Sequence, residues 1–161
     1  MRSYKEIVLK PKKDEFLKRF HPWVFSGALA SKPNDIEEGE IVRVLSYERV
    51  FLGIGHYQIG SIAVRILSFE DEVINTKFYE RRLTEAYIMR NRLKLIRPDN
   101  NTYRLVHGEG DNLPGLIIDV YGNTAVVQAH SVGMHTDRVE ISEALQSICG
   151  ADNIKNIFYA G

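Results

Sequence analysis

Residues 39–57 read GEIVRVLSYERVFLGIGHY, and residues 62–67 read IAVRIL. Residues 40–46 and 50–57 alternate or run apolar on either side of a short polar turn, which is typical of a β-hairpin, and residues 62–67 predict a further strand. Because residues 1–70 hold several short strands and only one short helix, the sequence predicts a small closed β structure that hides its strand edges.

The residues before this hairpin predict one more strand and a helix. A short strand is predicted at residues 6–10, and Pro11 ends it. Asp14 is predicted to cap a short helix that carries Phe16, Leu17 and Phe20. The aromatic-rich segment HPWVFSGA, residues 21–28, leaves this helix.

The residues after the hairpin predict a second domain of different character. The acidic run at residues 70–72 marks the expected boundary, and from there the apolar period becomes helical. The predicted elements are a helix at 74–96, strands at 103–107, 116–121 and 125–130, a helix from about 137 to 149 that Gly150 ends, and a strand at 155–159.

Composition excludes several classes of protein. The chain has 161 residues, 44% hydrophobic and 26% charged, with one Cys, so it is neither a disordered tail nor a disulfide scaffold. A single thiol fits a reducing cytoplasm. No apolar run approaches the roughly 20 residues of a membrane helix. We therefore expect a soluble cytoplasmic protein.

The net charge of zero hides two basic blocks. Residues 1–19 carry seven Lys or Arg against three acids, and residues 77–97 carry seven against two. A polyanion responds to such local patches, so both blocks are candidate contacts for nucleic acid. The alternative is that they form solvated faces that aid solubility.

Three local motifs have structural interpretations. The pair Gly53 and Gly55 lacks the third glycine and the helix of a dinucleotide loop, so it predicts a bulge or close backbone packing. Cys149 lies on the last turn of a predicted helix, where the dipole disfavours a thiolate, and is interpreted as structural. The run HGEGD at residues 107–111 could form a metal or acid/base site, but the turn chemistry of Gly and Asp is favoured.

Basic and aromatic residues are interleaved near the amino end, in the runs KPKK at residues 10–13 and KRFHPW at residues 18–23. Cations contact phosphates and aromatic rings stack on bases, which is how single-stranded or looped RNA is recognised. For Trp23 a core position is the stronger interpretation, because Trp buries a large area.

Two stretches, residues 21–28 and YRLVHGEGDNLPGLIIDVYG at residues 103–122, resemble the amino-terminal portion of the RlmI-type 23S ribosomal RNA methyltransferases. Those enzymes transfer a methyl group from S-adenosylmethionine to C5 of a cytosine. The resemblance implies an α+β fold class: an RNA-binding PUA-like small β-barrel at residues 1–70, then a small strand-helix-strand α+β middle domain at residues 74–161. The family's Rossmann-like catalytic domain is expected to be absent.

The resemblance also implies an RNA-binding surface on the first helix and the adjacent strand, formed by Lys12, Lys13, Lys18, Arg19, His21, Ser26 and Gly27. Tyr57 and Arg65, on the predicted barrel wall, are added on their chemistry alone. No catalytic, cofactor-binding or metal-binding residue is implied in this chain, although the full-length protein would use S-adenosylmethionine. Ribosomal RNA is the implied partner, and the chain alone is expected to be inactive.

Other interpretations stay open from the sequence. The chain could be a stand-alone RNA- or protein-binding module with no enzymatic descent. A small hydrolase that uses His107, Glu109 and Asp111 is disfavoured by the turn argument. A strand close to the carboxyl end leaves an edge that could pair two copies into a homodimer.

Overall fold

The chain divides into two units, Met1–Val73 and Ile74–Gly161. The computed structural model describes residues 3–149 and 154–160. Within these residues, no helix combines the length and the apolar character that a membrane crossing requires. Gly150, predicted to end a helix, lies outside the described residues.

The first unit is built on one six-stranded sheet. Its elements are β1 (Lys5–Leu9), α1 (Glu15–Lys18), β2 (Trp23–Phe25), a 3-10 helix (Ser26–Ala28), β3 (Leu29–Ser31), β4 (Ile41–Leu45), β5 (Phe51–Tyr57) and β6 (Ile62–Ser68). The strand order is β2-β6-β5-β4-β1-β3, and β1 and β4 pair in parallel while the other neighbours are antiparallel. Apolar side chains of β1, β4 and β6, with Leu17 of α1, Val24 of β2 and Tyr57 of β5, form the core.

The predicted closed barrel is wrong, because this sheet is a half-barrel. Its end strands, β2 and β3, do not pair with each other in the described part of the chain. The prediction assumed that strand edges must be hidden by closure. Here each edge strand is only three residues long, and very short edges are another way to avoid edge-to-edge association.

The second unit combines a four-stranded sheet with helices. Its elements are α2 (Thr76–Arg92), β7 (Thr102–His107), a 3-10 helix (Gly108–Asp111), β8 (Leu116–Tyr121), β9 (Thr124–Ala129), α3 (Val132–Thr136), α4 (Arg138–Cys149) and β10 (Asn156–Ala160). The order is β10-β9-β8-β7; β10 is parallel to β9 and the other pairs are antiparallel.

This second unit also departs from the predicted strand-helix-strand arrangement. Its sheet is mixed, and α3 precedes α4 where the sequence predicts a single helix. The extra helix begins because the Ser131 hydroxyl accepts a hydrogen bond from the Met134 N–H at 3.2 Å, which is an N-cap. The predicted fold class is therefore wrong for both units, whose sheets are mixed and carry helices.

Candidate nucleic-acid interface

A cleft of about 370 Å³ lies in the first unit between α1, β2 and the 3-10 helix that follows β2. The side chains important to its chemistry are Lys12, Lys13, Glu15, Phe16, Trp23 and Phe25. We call this feature the basic-aromatic cleft. The buried side chains of Leu9, Leu17 and Val24 also line it, so its inner wall is part of the core.

Local backbone conformation places the two lysines beside the cleft. The turn after β1 holds Lys12 at φ 63°, in the left-handed region, and the Lys13 N–H donates to the Lys10 carbonyl at 3.2 Å. Both lysine side chains are exposed. Although α1 has only four residues, burial of Leu17 holds it against the sheet.

The aromatic residues of the cleft are in contact through His21. The His21 ring lies 5.7 Å from Phe16, 5.9 Å from Trp23 and 6.2 Å from Phe25, measured between ring centroids. The Trp23 N–H donates to His21 Nδ1 at 3.2 Å, which fixes the orientation of the imidazole. Phe16 is 59% exposed and Phe25 is 42% exposed, so two apolar rings face solvent beside the lysines.

The remaining predicted cations lie outside the lining of the cleft. Lys18 is exposed and pairs with Asp14, with Nζ and Oδ2 at 2.9 Å. The hydrogen bond from Lys18 lowers the pKa of the Asp14 carboxyl, and the same bond raises the pKa of Lys18. Arg19 is exposed at the carboxyl end of α1.

Asp14 stands at the predicted N-cap position of α1, but its side chain makes a different interaction from the one predicted. No side-chain hydrogen bond from Asp14 caps α1, and the carboxylate binds Lys18 one turn later instead.

Ser26 and Tyr57 line a second depression, of about 480 Å³, together with Lys32 and Gln58. The 3-10 helix contributes Ser26 to this depression and Gly27 to the basic-aromatic cleft. Lys32 Nζ lies 5.7 Å from the centroid of the Tyr57 ring, a cation–π arrangement.

Arg65 packs against the cleft's tryptophan. Its guanidinium carbon lies 5.4 Å from the Trp23 ring centroid, and Nε donates to Gln58 Oε1 at 2.9 Å. Trp23 and Arg65 are directly opposite each other on β2 and β6. Arg65 therefore supports the Trp23 ring as a cross-strand partner.

The structure thus brings Lys12, Lys13 and Gly27 to one cleft and Ser26 and Tyr57 to a second one. Sequence reasoning missed Phe16 and Phe25 as parts of the surface, and it missed Lys32. The shortness of the helix could have indicated that Phe16 is exposed. A helix of four residues has room to bury few side chains, and in α1 the buried one is Leu17.

In the second basic block, several cations make contacts within their own unit. Arg81 and Arg82 lie over the Phe78 ring, with guanidinium carbons 5.3 Å and 5.1 Å from its centroid. Arg90 donates two hydrogen bonds to the Asp111 carboxylate, at 2.7 Å and 2.8 Å. These contacts favour a structural role for much of the block.

The HGEGD run forms a turn, as predicted. Asp111 accepts from the His107 N–H at 2.7 Å as well as from Arg90, and Asn112 closes the 3-10 helix at φ 59°. Among the described residues, no group of three or more His, Cys, Asp or Glu side chains could hold a metal ion.

Among the described residues, Glu15 is the one acidic side chain that lines the basic-aromatic cleft, and we expect Glu15→Gln to strengthen the binding of a polyanion such as RNA there. The carboxylate is exposed and would repel a phosphate held by Lys12 and Lys13. Removing one such charge at a surface site should raise the affinity about 2- to 5-fold at low salt. Filter binding with Glu143→Gln, an exposed acid of the second unit, as the control tests this; equal affinity of both variants would contradict it.

Comparison with known proteins shows which proteins the chain is similar to. Residues 7–69 match the family described as a PUA-like domain. The chain is 36% identical to ribosomal RNA large subunit methyltransferase I of Klebsiella pneumoniae over 147 residues, which are 90% of this chain and 36% of that protein. It is 40% identical to the protein of the same name from Alteromonas mediterranea over 139 residues, 83% of this chain and 34% of that one. The chain thus spans about a third of the length of these relatives.

Solved structures bear on the fold. A Streptococcus mutans protein assigned as a SAM-dependent methyltransferase matches with a TM-score of 0.79 and 18% identity, over 96% of this chain and 40% of that chain. A second structure, a complex with SAH of a protein assigned as a methyltransferase, matches with the same TM-score and 19% identity, over 96% of this chain and 39% of that one. Matches over nearly the whole chain support the mixed sheets with helices and contradict the predicted fold class.

The resemblance carried by residues 21–28 and 103–122 is therefore confirmed. Over nine-tenths of its length this chain is similar to proteins named ribosomal RNA large subunit methyltransferase I, and its residues 7–69 match the PUA-like domain family.

Proposed function

We propose that the chain binds ribosomal RNA at the basic-aromatic cleft and positions it for methyl transfer. The observation that carries this proposal is the placement of exposed Lys12 and Lys13 beside the exposed rings of Phe16 and Phe25. Lysines neutralise phosphates, and aromatic faces stack on bases, so this combination suits RNA better than it suits an apolar ligand.

The relatives supply the reaction in this proposal. They are named as ribosomal RNA methyltransferases, so we infer that the whole protein uses S-adenosylmethionine to methylate ribosomal RNA, at C5 of a cytosine as the family resemblance implies. Residues 1–70 would be the RNA-binding domain and residues 74–161 a middle domain. Such a protein would work in the cytoplasm, where ribosomal RNA is found in a bacterium.

The contribution of this chain is to hold the substrate. Holding RNA near a reacting centre raises the rate by effective concentration, without chemistry in the holding residues. We expect the 161-residue chain alone to bind RNA and to transfer no methyl group, since it spans about 36% of its relatives' length. Methyl transfer by the isolated chain would contradict this part of the proposal.

The other predicted site residues would contribute to RNA binding in different ways. Gly27 lies in the same cleft, while Ser26 would contact RNA that continues into the neighbouring depression, where the buried ring of Tyr57 forms part of the wall. Lys18 and Arg19 would add to the local positive potential, and His21 and Arg65 would hold the aromatic rings in place.

Replacing both lysines is expected to weaken RNA binding strongly. The variant Lys12→Gln with Lys13→Gln removes two charges while keeping side-chain length. Each phosphate contact on a single strand contributes about 0.7 to the slope of log affinity against log salt, so the slope should fall by about 1.4 and the affinity at about 0.1 M salt by about 25-fold. Fluorescence anisotropy with a labelled ribosomal RNA fragment across a salt series measures both quantities.

The matched control for this variant is Arg49→Gln with Lys155→Gln. It removes the same number of charges from exposed residues that neither line the cleft nor belong to a basic block. The control should lose less than about 3-fold in affinity. Equal losses in the two double variants would mean that net charge alone, and not the cleft, governs binding.

A further inference from the structure

We propose that the basic-aromatic cleft accepts one unpaired nucleotide, with its base in contact with Trp23 and with Phe16 or Phe25, and its phosphate at Lys12 and Lys13. The chain would then select single-stranded or looped RNA over duplex RNA. This inference rests on the proposed function, since it specifies which form of RNA occupies the same cleft.

The aromatic rings of the cleft offer a stacking surface to an unpaired base. Trp23 and Phe25 stand nearly perpendicular, at 85° with centroids 6.4 Å apart, and Phe16 comes from a different element, α1. The 59% and 42% exposure of the two phenylalanine rings leaves this apolar surface accessible. In an RNA duplex the base faces are already stacked on each other, so this surface would gain nothing from them.

The size of the cleft agrees with a single nucleotide. Its volume of about 370 Å³ falls at the lower end of the roughly 300–1,000 Å³ of small-molecule sites. Proteins that recognise duplex RNA instead contact phosphates and 2′-hydroxyls across successive minor grooves, over about 16 base pairs. A small cleft with an aromatic lining does not provide such an extended contact.

The charges of the cleft and the open space beside its backbone favour a phosphate near Lys12 and Lys13. Lys12 and Lys13 are consecutive and exposed, whereas Glu15 disfavours a phosphate at the start of α1. The wall of the cleft at Gly27 is open, since a Cβ built there would meet no atom within 4 Å. A sugar-phosphate group can therefore approach the backbone beside Gly27.

Trp23 provides a direct readout, because it is the single tryptophan of the sequence and it lines the cleft. The experiment titrates the protein with a short single-stranded RNA and with the same RNA annealed to its complement, and records both anisotropy and tryptophan fluorescence. The variants are Phe16→Leu and Phe25→Leu, which keep an apolar side chain but lose the ring. The matched control is Phe158→Leu, an exposed phenylalanine of the second unit.

We expect the single strand to bind at least 5-fold more tightly than the duplex and to quench the Trp23 fluorescence. Loss of one stacked ring should lower single-strand affinity by about 5-fold or more and leave duplex affinity unchanged, while Phe158→Leu should have no effect. Duplex binding as tight as single-strand binding, binding without quenching, or unchanged affinity in both cleft variants would overturn the inference. If the inference failed in one of these ways but Lys12→Gln with Lys13→Gln still weakened RNA binding, the proposed function would stand. If the protein bound neither the single strand nor the duplex, the inference and the proposed function would both be overturned.

Discussion

Substitution of Gly55 by alanine is expected to unfold the first unit. Gly55 lies on β5 opposite Ile66 of β6, where the strand register shifts. An added Cβ would lie 2.1 Å from the Arg65 carbonyl oxygen and 2.8 Å from the Ile66 Cα. Because these are backbone atoms, the clash is relieved only by separating β5 from β6. We expect a loss of more than about 4 kcal/mol in the free energy of unfolding.

Urea denaturation followed by Trp23 fluorescence measures this effect, since Trp23 lies on β2, the neighbour of β6. Gly27→Ala is the control, because its Cβ would meet nothing within 4 Å, and it should change stability by no more than about 0.5 kcal/mol. A Gly55→Ala protein that unfolds cooperatively at nearly the wild-type urea concentration would contradict the close approach of the two strands.

Replacement of Asp111 by alanine is expected to destabilise the second unit by about 3–5 kcal/mol. The Asp111 side chain is 2% exposed and that of Arg90 is 12% exposed, and the two form a bidentate ion pair. Without the carboxylate, the guanidinium keeps its hydrogen bonds to the Arg104 carbonyl and to the Met89 sulfur, neither of which carries a negative charge, and the His107 N–H loses its acceptor. An almost buried charge is then left without a counter-charge, which is the costly outcome.

Amide hydrogen exchange of the second unit is the suitable measurement, because the tryptophan reports on the first unit. The control is Asp99→Ala, which breaks the Arg97–Asp99 pair, whose side chains are 51% and 77% exposed. Exposed pairs contribute at most about 1 kcal/mol, so this variant should resemble the wild type. Equal, small effects of both substitutions would show that the Arg90–Asp111 pair does not hold the second unit together.

Local features of the fold followed from the sequence. The hairpin of β4 and β5, the strands β8 and β9 and the structural use of Gly55 each depend on residues close to one another in the chain. The half-barrel did not follow, because it depends on the parallel pairing of β1 with β4, whose residues are more than 30 positions apart. No local sequence pattern encodes such a pairing. The prediction of a closed barrel therefore rested on the assumption that the strand edges must be hidden.

The lysines that line the cleft were predicted from the sequence, whereas the exposed phenylalanine rings beside them were not. Lys12 and Lys13 belong to the basic run at residues 10–13, and the family resemblance implies them as RNA contacts. Phe16 was assigned to a helix with Leu17 and Phe20, and only the structure shows that Leu17 alone is buried. Trp23 has two interpretations from the sequence, core or contact, and in the structure it is half-buried, packs against Arg65 and lines the cleft.

The most direct test of the central claim is to map where RNA touches the chain. Ribosomal RNA fragments that carry a photoreactive uridine are cross-linked to the protein, and the attached peptides are identified by mass spectrometry. We predict cross-links within residues 12–27, which contain the lysines and rings of the basic-aromatic cleft. Cross-links confined to residues 77–97, with none at the cleft, would contradict the account.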